Sequence, residues 1–322
     1  MKRALITGIT GQDGGYLAEA LLRDGWEVHG LMRRLSAPND WRIRHLKDRL
    51  HLHCGDMLDH GCLIRLLSDV RPDEVYNLAA QSYVAASWDQ PLLTGAVTGL
   101  GAARLLEAIR QVDPSIRFYQ ASSSEMYGIA EIVPQKEDTP FHPRSPYAAA
   151  KVYAHHMTVN YRESFDMFAV SGILFNHESP RRGEEFVTRK ITKSVAEIAT
   201  GQRDKLHLGN MSARRDWGFA GDYVRAMIAM LRQDTPEDFV VASGISYSVE
   251  DFCRKAFEAA GLDFRDYVEV DPGLIRPADI PELRGDYSRA EQRLGWTPEV
   301  DLDQLIQMMV DSDLERARGS RD

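Results

Sequence analysis

Apolar and polar positions alternate in blocks along this chain, and the period changes from block to block. Ala4-Leu5-Ile6-Thr7 is a short apolar run without a polar face, the mark of a strand buried on both sides. After a glycine-rich turn, Tyr16-Leu17-Ala18-Glu19-Ala20-Leu21-Leu22 has helical period. Trp26-Glu27-Val28-His29-Gly30-Leu31-Met32 predicts a second strand, and the alternating Leu50-His51-Leu52-His53-Cys54 a third. A fourth strand begins at Glu74-Val75-Tyr76-Asn77, residues 100–110 are an Ala- and Leu-rich helix, and Ile116-Arg117-Phe118-Tyr119-Gln120-Ala121 is a fifth strand. Ser145 is a good N-cap and Pro146 suits a first helical position, so another helix starts there. Phe168 to Phe175 is the sixth strand. Strands alternating with helices predict an α/β fold, a doubly wound parallel sheet whose ligand lies beyond the carboxyl ends of the strands.

The second half is patterned differently. Residues 190–200 are helical and amphipathic, 217–232 read as a loop and helix, 239–244 as a strand, and 249–260 as a helix ended by Gly261. Residues 290–295 and 302–314 look like closing helices, and 315–322 like a frayed tail. The expected organisation is a nucleotide-binding domain from residues 1–175 plus about 214–245. A smaller, mostly helical substrate domain is expected from about 176–213 plus 246–322.

Composition narrows the classes. The 322 residues are 43% hydrophobic and 27% charged, ordinary for a globular protein. A net charge of −9 argues against nucleic acid and acidic membranes as partners. No run approaches the ~18 apolar residues of a membrane helix. The apolar stretch at the N-terminus is too short for a signal peptide. Cys54, Cys62 and Cys253 show no metal spacing and cannot all pair, so a reduced, cytoplasmic protein without a metal is expected.

Candidate chemistry starts at Gly8-Ile9-Thr10-Gly11-Gln12-Asp13-Gly14, set between a strand and a helix. Glycines there let the backbone approach a pyrophosphate seated on the helix N-terminus, which makes this a Rossmann-type fingerprint, unless it is a ligand-free turn. An NAD-selective fold usually ends its second strand with an acid; here stand Arg33, Arg34 and Ser36, which suit a 2′-phosphate and hence NADP, or else form a solvated basic turn. Asp56, followed by Met57, is an acid after the third strand, placed to accept from an adenine amino group. Leu78, Ala79, Ala80 and Ser82 keep the chain after the fourth strand mostly small beside a cofactor. After the fifth strand, Ser123 is placed to bond a substrate hydroxyl and Glu125 to act as a further acid or base; capping and turn chemistry is the rival role for both. Tyr147 and Lys151 lie four apart on one helix face. An ammonium one turn away favours the phenolate, and an oxidised nicotinamide favours it further; lowering the phenol by roughly three units takes about 4 kcal/mol. The outcome is a general base near neutral pH.

At this point the motifs have a counterpart. The chain resembles the extended short-chain dehydrogenase/reductase superfamily and, within it, the GDP-mannose 4,6-dehydratases. The resemblance runs through most of the length and is carried by Thr7 to Gly14, Tyr76 to Ser82, Arg117 to Ser122 and Pro143 to Ala148. The telling blocks are Gly172 to Gly183, Phe186 to Thr192 and Arg215-Asp216-Trp217-Gly218. The resemblance implies redox-neutral dehydration of GDP-mannose with tightly bound NADP, Tyr147 taking the C4 hydroxyl proton and Glu125 the C5 proton. It puts His177 and Arg182 near the cofactor. It puts Ser82, Asn176, Val187, Lys190, Arg215 and Arg276 near the substrate. For each basic residue a surface ion pair is the rival role, and His177 equally suits a satisfied core histidine. The family usually has Thr where Ser123 stands, which keeps the hydroxyl and removes a methyl that restricts the rotamer. The resemblance also implies a homo-oligomer, dimer or tetramer, with residues 33–36 reaching across subunits. A 4-keto-sugar reductase or epimerase on the same scaffold, and a non-catalytic NADP-binding regulator, are the competing functions; neither has need of Glu125 as a base.

Overall fold

The structure, a computed structural model, describes residues 1–37, 39–274 and 280–319. Residues 1–174 alternate strands β1 (Arg3–Thr7), β2 (Glu27–Met32), β3 (His51–Cys54), β4 (Glu74–Asn77), β5 (Arg117–Ser123) and β6 (Ala169–Leu174) with helices. The helices are α1 (Gln12–Arg23), α2 (His60–Val70), the short α3 (Ala86–Asp89) and α4 (Pro91–Thr94), α5 (Leu100–Val112) and α6 (Pro146–Phe165). Beyond them come β7 (Asn176–Glu178), α7 (Val187–Ala199), β8 (Leu206–Leu208), β9 (Arg214–Phe219), α8 (Ala220–Leu231), β10 (Phe239–Val241), β11 (Ser246–Ser248) and α9 (Val249–Ala259). The chain closes with β12 (Val268–Val270), β13 (Glu282–Leu283), α10 (Ser288–Leu294) and α11 (Leu302–Gly319).

Among the described residues, seven strands form one sheet in the order β10-β6-β5-β4-β1-β2-β3, every neighbouring pair parallel. The doubly wound expectation holds. Strand order reverses between β1 and β4, which opens a crevice at their carboxyl ends. The apolar run of β1 is explained by burial on both faces. Ala4 and Ile6 join Leu17 and Leu21 of α1 and Val224 and Met227 of α8, while Leu5 joins Leu63 of α2 and Leu105 of α5. The cap at Ser145 forms as expected, its side chain accepting from Ala148 N with Pro146 in the first turn.

The second lobe packs α7, α9 and α11 around Trp217, Phe252 and Phe257. It is not wholly helical. β9 pairs with β7, β11 and β13, and β8 pairs with β12. Trp217, expected in a loop, is therefore in a strand. Arg215 and Asp216 hide that strand from a hydropathy reading because both are polar and both are buried.

A second expectation needs correction. α4, a wide π turn (Gly95–Gly99) and α5 join into a helical run of 22 residues, Pro91–Val112, apolar and long enough by length and composition to cross a membrane. Half of it is buried inside this fold, with α5 packed against α2 and α6, so its apolarity serves the core.

His155 on α6 lies 6% exposed, its Nδ1 3.3 Å from Ser122 Oγ, and burial pushes its imidazole down to about 4. An unfolded histidine titrates near 6.5, so the folded state resists the proton between those values. Stability tied to this group is complete above about pH 6.5 and is lost as pH falls through about 4. The loss should be on the order of 3 kcal/mol. Urea unfolding across that range should show a loss in the wild type that exceeds the loss in His155→Gln by about that amount, the remainder coming from groups such as His29 and His53 that burial also lowers.

Candidate active site

The crevice beyond β1, β4, β5 and β6 opens into a cavity of about 680 Å³ shared with the second lobe. Its floor is a line of buried hydrogen bonds. Thr7 Oγ1 donates to Asn77 Oδ1 (2.7 Å), Asn77 Nδ2 to Gln120 Oε1 (2.8 Å), and Gln120 Nε2 to the Ala121 carbonyl (2.9 Å). Thr7 Oγ1 also accepts from Ala79 N. The ends of β1, β4 and β5 are thus held level by side chains that satisfy one another, as buried polar groups must.

Gly8 turns the chain from β1 into α1 at φ +70, and a Cβ there would stand 2.9 Å from Ala79 N. A Cβ at Gly14 would stand 2.5 Å from Ile9 Cα. The two glycines permit the close stacking of turn, helix and β4. The first turn of α1 starts at Gly11 with no side-chain cap; Gly11 N–H is taken by the Gly8 carbonyl, and the helix N-terminus that follows, at Gln12 and Asp13, lines the cavity. This cradle fits a nucleotide pyrophosphate.

Ser123, Glu125, Tyr147 and Lys151 line the same cavity. Lys151 Nζ donates to the Ala121 carbonyl at 2.7 Å and stands 5.7 Å from the centre of the Tyr147 ring. The Ser123 hydroxyl accepts from Glu125 N at 3.2 Å, the capping role, and both it and the Glu125 carboxylate lie near enough to the Tyr147 phenol to act on its titration. Phenol and carboxylate therefore face one space. The expected acidification of Tyr147 does not appear in the protein alone. Burial pushes the phenol up to about 12, outweighing the lowering influence of Ser123, while burial pulls the Lys151 ammonium down to about 8. Desolvation disfavours each charged form, and this could not be read from helix spacing.

A family model described as GDP-mannose 4,6 dehydratase matches residues 5–309. The chain belongs to the GDP-mannose 4,6-dehydratase family. It is 54% identical to GDP-mannose 4,6 dehydratase 2 of Arabidopsis thaliana, covering 99% of this chain and 89% of that one. It is 49% identical to GDP-mannose 4,6-dehydratase of Yersinia enterocolitica, covering 99% and 95%. In fold it is similar to the UDP-glucose 4-epimerase of Thermotoga maritima solved with UDP-glucose, with a TM-score of 0.87, 23% identity and coverage of 99% and 100%.

The other residues singled out from the sequence of this dehydratase-family chain fall into two groups. Gly8, Leu78, Ala80, Ser82, His177 and Arg182 line the cavity, as do Asn176, Val187, Lys190 and Arg215. Lys190 Nζ donates to the His207 carbonyl, and an Arg215 Nη donates to the carbonyls of Arg214 and Ile280. Arg182 pairs with Glu178 at 3.0 Å and lies over the Phe186 ring. Thr10, Ala79, Asp56 and Met57 are not in the cavity wall; Asp56 Oδ1 accepts from Leu58 N, and Met57 is buried against Gly101. Arg33, Arg34 and Ser36 are exposed beyond β2. Arg276 lies outside the described residues. Sequence reading passed over Tyr83, Trp88, Glu185 and Phe186, which also line the cavity; Tyr83 meets Phe186 edge-on at 5.9 Å. These residues come from two distant segments, and no local spacing announces them.

Gly8→Ala should destabilise the fold by about 3 kcal/mol, left-handed strain adding to overlap with the β4 backbone. Urea unfolding checks this, with Gly95→Ala as the comparison, since nothing lies within 4 Å of a Cβ there.

Proposed function

We propose that this protein removes water from GDP-mannose to give GDP-4-dehydro-6-deoxymannose, using tightly bound NADP. The reading rests on one observation above others: Tyr147, Lys151, Ser123 and Glu125 converge in the cavity at the point where strand order reverses. A reductase or epimerase would use the tyrosine and lysine but has no work for a second acid/base at Glu125.

Gly8, Thr10, Gly11, Gln12 and Asp13 would hold the pyrophosphate, and Arg33, Arg34 and Ser36 the 2′-phosphate. Asp56 and Met57 would meet the adenine, and Leu78, Ala79, Ala80, Ser82, His177 and Arg182 the rest of the cofactor. When bound, NADP supplies a hydride acceptor for sugar C4, a donor for C6 and a positive charge beside the phenol. Tyr147 Oη takes the C4 hydroxyl proton, steadied by the Ser123 hydroxyl. The 4-keto group acidifies C5, whose proton passes to the Glu125 carboxylate and on to the departing C6 hydroxyl. C5 is then reprotonated, and substrate and product differ by one water. Asn176, Val187, Lys190, Arg215 and Arg276 would seat the nucleotide diphosphate sugar, with charge-assisted bonds from the cations to phosphate.

The protein is a homo-oligomer in this reading. Leu92 is 88% exposed, and Leu93, Leu100, Tyr153 and Phe165 are exposed on α4, α5 and α6. They make one helical face suited to a second copy. Reduced Cys54, Cys62 and Cys253 agree with a cytoplasmic setting.

GDP-mannose added to the protein without reduced cofactor should give the 4-keto-6-deoxy product with no net change at 340 nm. Glu125→Gln should give one equivalent of 340 nm absorbance per site and no product, because oxidation at C4 proceeds while elimination stalls. Tyr147→Phe should lose turnover by about 10²–10⁴-fold without that absorbance. Net oxidation or reduction of cofactor by the wild type would reject the dehydratase. Leu92→Glu should lower the mass seen by light scattering; an unchanged mass would remove the helical face as the interface.

A further inference from the structure

Asp13 and His177 make a half-buried charge pair in the cavity wall that proton transfer to the sugar does not use. His177 Nδ1 is 2.7 Å from the Phe175 carbonyl, and Nε2 is 2.8 Å from Asp13 Oδ2. Both neighbours are acceptors, which suits a ring that donates from both nitrogens, and against burial the Asp13 charge holds the imidazole above its ordinary value. Its face stacks on Tyr223 at 4.7 Å. Gln12 Nε2 donates to Asp13 Oδ1 and to the His177 carbonyl, and Ser179 Oγ holds the Gln12 oxygen. The carboxylate is thus fixed by both of its oxygens, ionised and unable to swing. Its charge reaches the catalytic pair, acting on both Tyr147 and Lys151.

We propose that the Asp13–His177 pair sets the balance between oxidised and reduced NADP in this site, the carboxylate favouring the oxidised form. The inference rests on the NADP reading above. Oxidised nicotinamide carries a positive charge that the reduced ring lacks. A fixed, partly desolvated anion in the cavity wall therefore stabilises one state and not the other, more strongly than it would in water. Lys151 and Arg182 push the opposite way. A redox-neutral cycle needs this correction. The hydride taken from C4 must leave again at C6, and a wall of cations alone would hold the cofactor reduced. His177 limits the effect, since its own charge partly cancels that of Asp13 and keeps the carboxylate affordable in a half-buried place.

The test is the ratio of dissociation constants for NADPH and NADP⁺, measured calorimetrically at pH 8 on cofactor-stripped protein. Asp13→Asn, which keeps the shape and one of the two accepted hydrogen bonds while removing the charge, should shift the ratio about tenfold toward NADPH, about 30 mV for a two-electron couple. His177→Gln leaves the carboxylate uncompensated and should shift the ratio several-fold toward NADP⁺. Opposite directions from two partners of one pair are not expected of a merely structural role. Arg33→Ala should weaken both states equally. Wild-type protein that binds neither state would reject the NADP reading itself. Binding with an unchanged ratio in both pair variants would overturn the proposal and leave that reading intact; where Asp13→Asn does not fold, the His177→Gln ratio decides alone.

Discussion

A lysine ammonium taken almost wholly out of water and held on one backbone carbonyl is the constraint around which this site is built. Lys151 is 4% exposed and donates to the Ala121 carbonyl. A neutral carbonyl does not repay the desolvation of an ammonium, so the group loses basicity to about 8. Such an arrangement persists only where its surroundings over-determine it. The Ala121 carbonyl is steadied by Gln120, Gln120 by Asn77 and Asn77 by Thr7, which carries the constraint across three strands to the foot of the glycine turn. Gly8 then sits against Ala79, one step beyond β4. The glycine turn and the Tyr147–Lys151 pair are therefore two ends of one hydrogen-bonded floor.

Much of this was legible in the sequence, for a physical reason. Strands of a parallel sheet are buried on both faces, so β1, β4 and β5 stand out as apolar runs between turn residues. The glycine turn before α1, the cap at Ser145 and the pairing of Tyr147 with Lys151 are local in sequence and were readable as such. The second lobe was harder. β7, β8, β11 and β12 are three residues long, too short to show a period, and β9 hides its burial behind Arg215 and Asp216. Asp216 is satisfied by Ser243, Gly244 and Gly285, partners scattered over about 70 positions. No window of sequence contains that compensation.

The same limit applies to the chemistry. Spacing placed a tyrosine and a lysine on one face of α6, and on that basis alone the phenol should be acidic. Burial is a tertiary quantity, and it reverses the sign, raising Tyr147 to about 12. The protein on its own holds the base in its neutral state. In the role proposed for Tyr147, a base that ionises only when a positive charge arrives beside it would not act on an empty site, which would tie proton removal to occupancy by the oxidised cofactor. The direction that spacing missed is thus the one that makes the cycle orderly.

One pocket must meet two opposed electrostatic demands. Phosphates require cations, and a ring that cycles between positive and neutral requires an anion within reach. In a chain of net charge −9 the cavity carries both signs on both sides. The sheet side supplies Lys151 with Asp13 and Glu125, and the second lobe supplies Lys190 and Arg215 with Glu178 and Glu185. Lys151, Lys190, Arg215 and Asp13 are each held by a hydrogen-bond partner, so these charges keep their places in the wall. Both lobes thus bring both signs to one space, and a ligand seated between them can meet a cation and an anion from either side.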